Sequence, residues 1–153
     1  ELARGAPTWD DLVWLRQQTR LPLIIKGLLS ARAAAQAVEL GADAIVVSNH
    51  GGRVLDTAVS ALEVLAAIRA ATPAHIPLLM DGGVRQGTDV LKAIALGASA
   101  VLLGRPQMHA LAVAGMLGVA HMLYLLRAEL ELAMAQTGCA SLDQIAPRLL
   151  TTC

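Results

Sequence analysis

Six consecutive residues, Ser48-Asn49-His50-Gly51-Gly52-Arg53, set a possible base and a possible carboxylate clamp three positions apart. Histidine is the side chain that exchanges protons near neutral pH. Arginine holds a carboxylate through two parallel hydrogen bonds. The glycines between them let the backbone turn and let a ligand approach without meeting a Cβ. The pair points to chemistry on an α-substituted acid. Taken alone, His50 is more often a capped or core histidine, and Arg53 a surface ion-pair residue. Each gains weight from the other.

Three further clusters stand at similar places. Lys26 follows the apolar Leu23-Ile24-Ile25 and precedes Gly27. It is either a rim lysine with its head in water or a fixed positive charge for an anionic cofactor or intermediate. Asp81-Gly82-Gly83-Val84-Arg85 joins the N–H groups of a glycine turn to a guanidinium, a combination suited to phosphate. Gly104-Arg105 repeats the device, so two adjacent loops can grip one phosphate. The bland alternative is a pair of tight turns with solvated arginines. None of these clusters is a GxGxxG, which disfavours a Rossmann dinucleotide site. His75, His109 and His121 are given no chemistry.

The elements that must position these residues read as four strand-then-helix units. Leu23-Ile24-Ile25 is expected as a buried strand, followed by a helix from its N-cap Ser30 to about Leu40, with Gly41 as its stop. Ala44–Val47 is continuously apolar, as in a strand covered on both faces. A helix near 58–71 follows. Leu78-Leu79-Met80 leads through the Asp81 cluster to a helix from about Thr88 to Leu96. Ala100–Leu103 precedes Gly104-Arg105-Pro106. A long last helix carries Val119, Leu123, Leu126, Leu130 and Met134 on one face and stops at Gly138. Ser141-Leu142-Asp143-Gln144 fits a capping box for one short helix more. Upstream, Thr8 caps a helix beginning at Trp9.

All four clusters therefore fall at the C-terminal end of a strand, where (βα) barrels and open α/β sheets place their ligands. An internal echo supports such a fold. Leu40-Gly41-Ala42-Asp43-Ala44-Ile45-Val46-Val47 is matched by Leu96-Gly97-Ala98-Ser99-Ala100-Val101-Leu102-Leu103. Four units make half of a (βα)₈ barrel, whose full length is about 200 residues or more. The segment Glu1–Pro7 offers no natural start, so the 153 residues are expected to be one piece of a single barrel domain.

Composition narrows the partners. Twelve basic and twelve acidic residues balance, which argues against a nucleic-acid footprint. With no Phe and a single Tyr, base-stacking platforms are not expected. Cys139 and Cys153 are too few for a disulfide framework or a zinc site, so no metal is expected. The mean hydropathy of +0.58 belongs to a heavily buried core or to a surface that a partner covers. No uninterrupted apolar run approaches a membrane span, and the cytoplasm is the expected compartment.

Lys26-Gly27, the run from Ser48 to Asp56, the run from Asp81 to Val90, and Gly104-Arg105-Pro106 together resemble the FMN-dependent α-hydroxy acid oxidase and dehydrogenase family. The resemblance extends from about Trp9 to Gly138. It implies a (βα)₈ (TIM) barrel, with this chain as strands five to eight. It implies FMN-dependent oxidation of an L-2-hydroxy acid to the 2-oxo acid. His50 would take a substrate proton and Arg53 would bind the substrate carboxylate. Lys26 would stabilise the reduced flavin, and Ser48 would contact its ring. Asp81, Gly82, Gly83, Val84, Arg85, Gly104 and Arg105 would hold the ribityl chain and phosphate. The aspartate that orients the histidine in this family, its substrate-side tyrosines and the flavin contacts of the first four strands have no counterpart here. An N-terminal half-barrel segment or companion chain is therefore expected, as is a homo-oligomer when complete. The alternative is a non-catalytic half-barrel that binds phosphate or self-associates, since four strands alone leave two unpaired edges. An IMP-dehydrogenase-like barrel lacks the His50-Gly51-Gly52-Arg53 run and is disfavoured.

Overall fold

The computed structural model describes residues 5–151; Glu1–Arg4, from the expected unnatural start, and Cys153 lie outside them. Helices begin where short polar side chains meet the first free N–H groups. For α1 (Trp9–Gln18), Thr8 and Asp11 form a reciprocal capping box. Ser30 caps α2 (Ala31–Glu39) through the Ala33 N–H. Ser60 caps α3 (Ala61–Ala71) through the Glu63 N–H, so this helix starts three residues later than the apolar pattern predicts. For α4 (Gly87–Ala95), Asp89 takes the N–H groups of Arg85 and Gln86.

Four parallel strands lie in chain order: β1 (Ile24–Leu28), β2 (Ala44–Val47), β3 (Leu78–Asp81) and β4 (Ala100–Leu102). The inner strand β2 is buried along its whole length, as its apolar run predicts. Its Ile45 and Val47 meet Leu65, Ile68, Leu78 and Met80 in the main core. β1 and β4 do not match the expectation of buried strands. Ile24 is 54% exposed and Leu102 39%, because each strand has a neighbour on one side only among the described residues.

The echo in the sequence is a structural repeat, and it is longer than the eight matched residues. Leu21-Pro22-Leu23-Ile24-Ile25-Lys26-Gly27 corresponds to Ile76-Pro77-Leu78-Leu79-Met80-Asp81-Gly82. The registers coincide as well. Ile24, Ile25 and Lys26 pair with Ala44, Ile45 and Val46, while Leu79, Met80 and Asp81 pair with Ala100, Val101 and Leu102. Even the clamps at the opposite strand ends recur. Arg16 of α1 donates to the carbonyls of Thr19, Leu21 and Gly41 and to Asp43. Arg69 of α3 donates to the carbonyls of Thr72, Pro73 and Ile76 and to the Thr72 hydroxyl. The aliphatic stem of Arg16 runs under Gly41 and that of Arg69 under Gly97, so closely that neither glycine has room for a Cβ.

The last helix departs furthest from its sequence pattern. α5 spans Arg105–Gln136 but is broken at Ala114 (φ −146°) and Gly115 (φ +56°, ψ −140°). Beyond the break it packs on α4. A Cβ on the buried Gly87 would collide with the Glu129–Leu130 backbone, and the Gly87 N–H donates to Glu129 Oε2 at 2.8 Å. Val119, Leu126, Leu130 and Met134 are part-buried on the predicted face, whereas Leu123 is exposed. By length and composition α5 is long and apolar enough to cross a membrane, with an 18-residue window of mean hydropathy 1.7. Counting uninterrupted apolar runs misses it, because scattered polar residues divide the run without lowering its average. The expected capping box at Ser141 is absent too. Leu142–Gln144 is a single 3₁₀ turn in which Ser141 Oγ donates to Asp143, and a second such turn spans Pro147–Leu149.

Candidate functional site

The C-terminal ends of the four strands open on one cavity of about 630 Å³. Ten of the eleven side chains or glycines singled out above line it: Lys26, His50, Arg53, Asp81, Gly82, Gly83, Val84, Arg85, Gly104 and Arg105. Four cationic side chains face one carboxylate there, although the chain as a whole is neutral. Such a concentration of one sign in a concave surface favours anions.

Ser48 is the exception. It is fully buried beneath the cavity and does not line it. Its Oγ lies 2.8 Å from Lys26 Nζ and accepts the His50 N–H at 3.0 Å. One hydroxyl thus ties the candidate base to the candidate cation. His50 needs that tie, since its φ of +55° lies in the left-handed region that a side chain resists. A 3₁₀ turn over His50–Gly52 continues the bend, closed by the Gly52 N–H on the Asn49 carbonyl.

Lys26 and Asp81, assigned separate posts by the sequence reading, form an ion pair with each other. Only Oδ2 of Asp81 is engaged. Oδ1 is buried and has no hydrogen-bond partner among the described residues. A buried acceptor of this kind is satisfied in nearly all folded proteins, so a hydroxyl donor is the missing complement. Arg105 donates to the Gly51 carbonyl at 3.3 Å, joining the fourth-strand loop to the loop that carries His50. At Gly83 and Gly104 an added Cβ would meet nothing within 4 Å, so open space borders both backbones. Gly104 also starts α5 with no side-chain cap among the described residues, so the first N–H groups of the helix, apart from the Pro106 position that has none, are left to a ligand or water. A polyhydroxylated phosphate ester fits this donor and acceptor set: a hydroxyl for Asp81 Oδ1, and a phosphate for the helix start with Arg85 and Arg105.

Sequence reasoning missed several walls of the cavity. Leu102, Leu103, Pro106 and Met108 supply an apolar side beside the Gly104-Arg105 loop, and Val54 another beside Arg53. Their apolar character carries no motif. Val84 has its side chain in the main core, which leaves its backbone for any ligand. Gly27, read only as the end of a strand, lies against the His50 imidazole.

Comparison with known proteins gives this cavity a context. The profile of the FMN-dependent dehydrogenase family matches residues 1–152. An L-lactate oxidase of Alicycliphilus denitrificans is 57% identical over 148 residues, covering 97% of this chain and 40% of that protein. A 2-hydroxyacid oxidase of Dictyostelium discoideum is 50% identical over 138 residues, covering 90% of this chain and 36% of that protein. The solved structure of a mandelate oxidase superposes with a TM-score of 0.86 at 51% identity, over 91% of this chain and 40% of that one. A mandelate oxidase mutant solved with a monooxide FMN adduct matches equally well. The chain thus spans about 40% of the length of the relatives it matches, and its four βα units are part of a (βα)₈ barrel. The match over nearly the whole chain shows that it belongs to the FMN-dependent dehydrogenase family.

Proposed function

We propose that the protein carrying this chain oxidises a small L-2-hydroxy acid to the 2-oxo acid, and that this chain supplies its base, carboxylate clamp and phosphate grip. The observation that carries the reading is that Lys26, His50, Arg53, Asp81, Arg85 and Arg105 line one cavity in a chain of this family. FMN, when bound, accepts the two electrons that leave the substrate.

The chain's own residues divide the remaining work. Arg53 holds the substrate carboxylate in two parallel hydrogen bonds and so fixes which face of the α-carbon meets the base. His50 receives a proton from the substrate and later releases it to solvent. Lys26 keeps a positive charge at the floor, held in place by Ser48 and Asp81, where negative charge develops. Arg85, Arg105 and the start of α5 bind the phosphate. The carboxylate that orients the imidazole comes from the segment or companion chain that supplies the other strands.

The test is anaerobic mixing of the full-length, FMN-loaded protein with a series of L-2-hydroxy acids while flavin absorbance is followed. Bleaching by at least one acid is expected. His50→Ala is expected to keep its flavin and to lose bleaching by about a thousandfold, within the range for a general base. Equal rates in variant and parent remove His50 from the chemistry.

The unpaired edges of β1 and β4 favour one second reading for the 153 residues by themselves. An isolated half-barrel that binds inorganic phosphate or self-associates, without oxidising any acid, fits those edges. Sedimentation of the isolated chain with and without its complementing segment separates the two.

A further inference from the structure

Gly27 is the residue that the β1–β2 ladder skips. Lys26 pairs with Val46 and Leu28 with Val47, leaving Gly27 between them at φ +101°. A bulge at this place bends the strand and re-aims its neighbours. The face it turns outward meets the imidazole of His50. A Cβ at Gly27 would stand 2.8 Å from Nε2, closer than real Cβ atoms approach, and a tight 3.3 Å from Cε1, so the ring would have to shift. Among the described residues, packing alone sets where this exposed ring lies. The His50 backbone is pinned by Ser48 Oγ and by the turn that follows it. Only the two side-chain torsions remain, and neither ring nitrogen has a hydrogen bond among the described residues.

We infer that Gly27 is a positioning residue for His50: the side chain it lacks is the seat in which the imidazole rests at the cavity wall. The inference rests on the reading of His50 as the base. It gives the bulge a function, since the ring packs against the bulged glycine on the face where a Cβ would stand. It also places the seat wholly within this half of the barrel, so the base is located before the other half contributes its orienting carboxylate.

The test uses the full-length, FMN-loaded protein as parent and as Gly27→Ala, with Gly138→Ala as a control. Gly138 shares the positive-φ region at +73° but has open space where a Cβ would go. Gly27→Ala is expected to keep FMN, to change KM by no more than a few-fold, and to lower kcat about a hundredfold, as a misplacement of about 1 Å does. The limb of its pH–kcat profile that reports the base is expected to move. Gly138→Ala is expected to leave both unchanged. A second measurement does not depend on turnover. By urea unfolding, Gly27→Ala is expected to destabilise less in a His50→Ala background, where the ring it strikes is gone. Equal destabilisation in both backgrounds overturns the seat, and so does an unchanged kcat. A parent that oxidises no 2-hydroxy acid overturns the reading of the site instead, and the double-mutant cycle alone then decides whether Gly27 seats His50.

Discussion

Lys26 and Asp81 occupy the same position in two successive repeats of the fold, and their side chains pair with each other across the end of β2. One repeat carries a cation at this post and the other an anion. The ammonium also reaches Ser48 Oγ, whereas the carboxylate keeps one oxygen buried and, among the described residues, unpartnered. The pair is therefore asymmetric. Lys26 has its partners in place, and Asp81 retains half its capacity for a ligand.

Asp81→Asn preserves the shape and removes the charge. The stability of the flavin-free protein is expected to change by less than about 1 kcal/mol, since the pair is partly solvated. FMN affinity is expected to fall about tenfold, the difference between a charged and a neutral acceptor. Quenching of FMN fluorescence on titration measures it, and an unchanged dissociation constant removes Asp81 from the flavin site.

Arg69 has no part in the cavity, and its loss is expected to act on stability alone. Its guanidinium serves carbonyls of Thr72, Pro73 and Ile76 that lead into β3. Arg69→Ala leaves them without this donor and removes the stem that packs under Gly97. A loss of about 2 kcal/mol is expected, with FMN affinity and kcat unchanged. Urea unfolding and steady-state assays on the same preparation test both halves of the statement.

Asp43 should leave a mark on the acid limb of stability. Its carboxylate accepts the Leu23 N–H at 2.7 Å and pairs with Arg16 at 2.9 Å. The backbone hydrogen bond, then the arginine, hold its pKa below the ordinary 3.8. A carboxyl depressed in the folded state lends stability that is complete above its unfolded pKa and is lost as pH falls through the folded one. Asp43→Asn is expected to flatten that part of the profile and to leave its slope near neutrality unchanged. Urea midpoints collected across the acid range show the difference, and superimposable acid limbs refute it.

What could be read from the sequence was what is local. Thr8, Ser30, Gly41 and Gly138 end helices through groups a few residues away, so their neighbours suffice to announce them. His50, Asp81 and Arg105 stand at or just beyond strand ends as expected because each follows an apolar run, whereas Lys26 lies within β1, which runs on past the expected end at Ile25 to Leu28. What escaped depends on groups distant in the chain. The Lys26–Asp81 pair, the burial of Ser48 under it, and the contact of Gly27 with His50 all arise when neighbouring strands align. Exposure of β1 and β4 belongs to the same class, since an apolar triplet reads alike at the edge and the centre of a sheet. The start of α3 was misplaced for a local reason. Ala58 and Val59 continue the apolar pattern, but Ser60 competes as the cap.

The arginine clamps sit at the N-terminal ends of the strands, and the charged cavity at their C-terminal ends. A substitution that reshapes the cavity wall at Val54, Leu103 or Met108 therefore leaves untouched the hydrogen bonds that close the α–β loops. Such a scaffold is evolvable: its cavity wall can change by small steps at one pole while its durability is maintained at the other. Laboratory variation of the cavity can accordingly be confined to its rim, with Arg16, Arg69 and their carbonyl partners held fixed as a stability reserve.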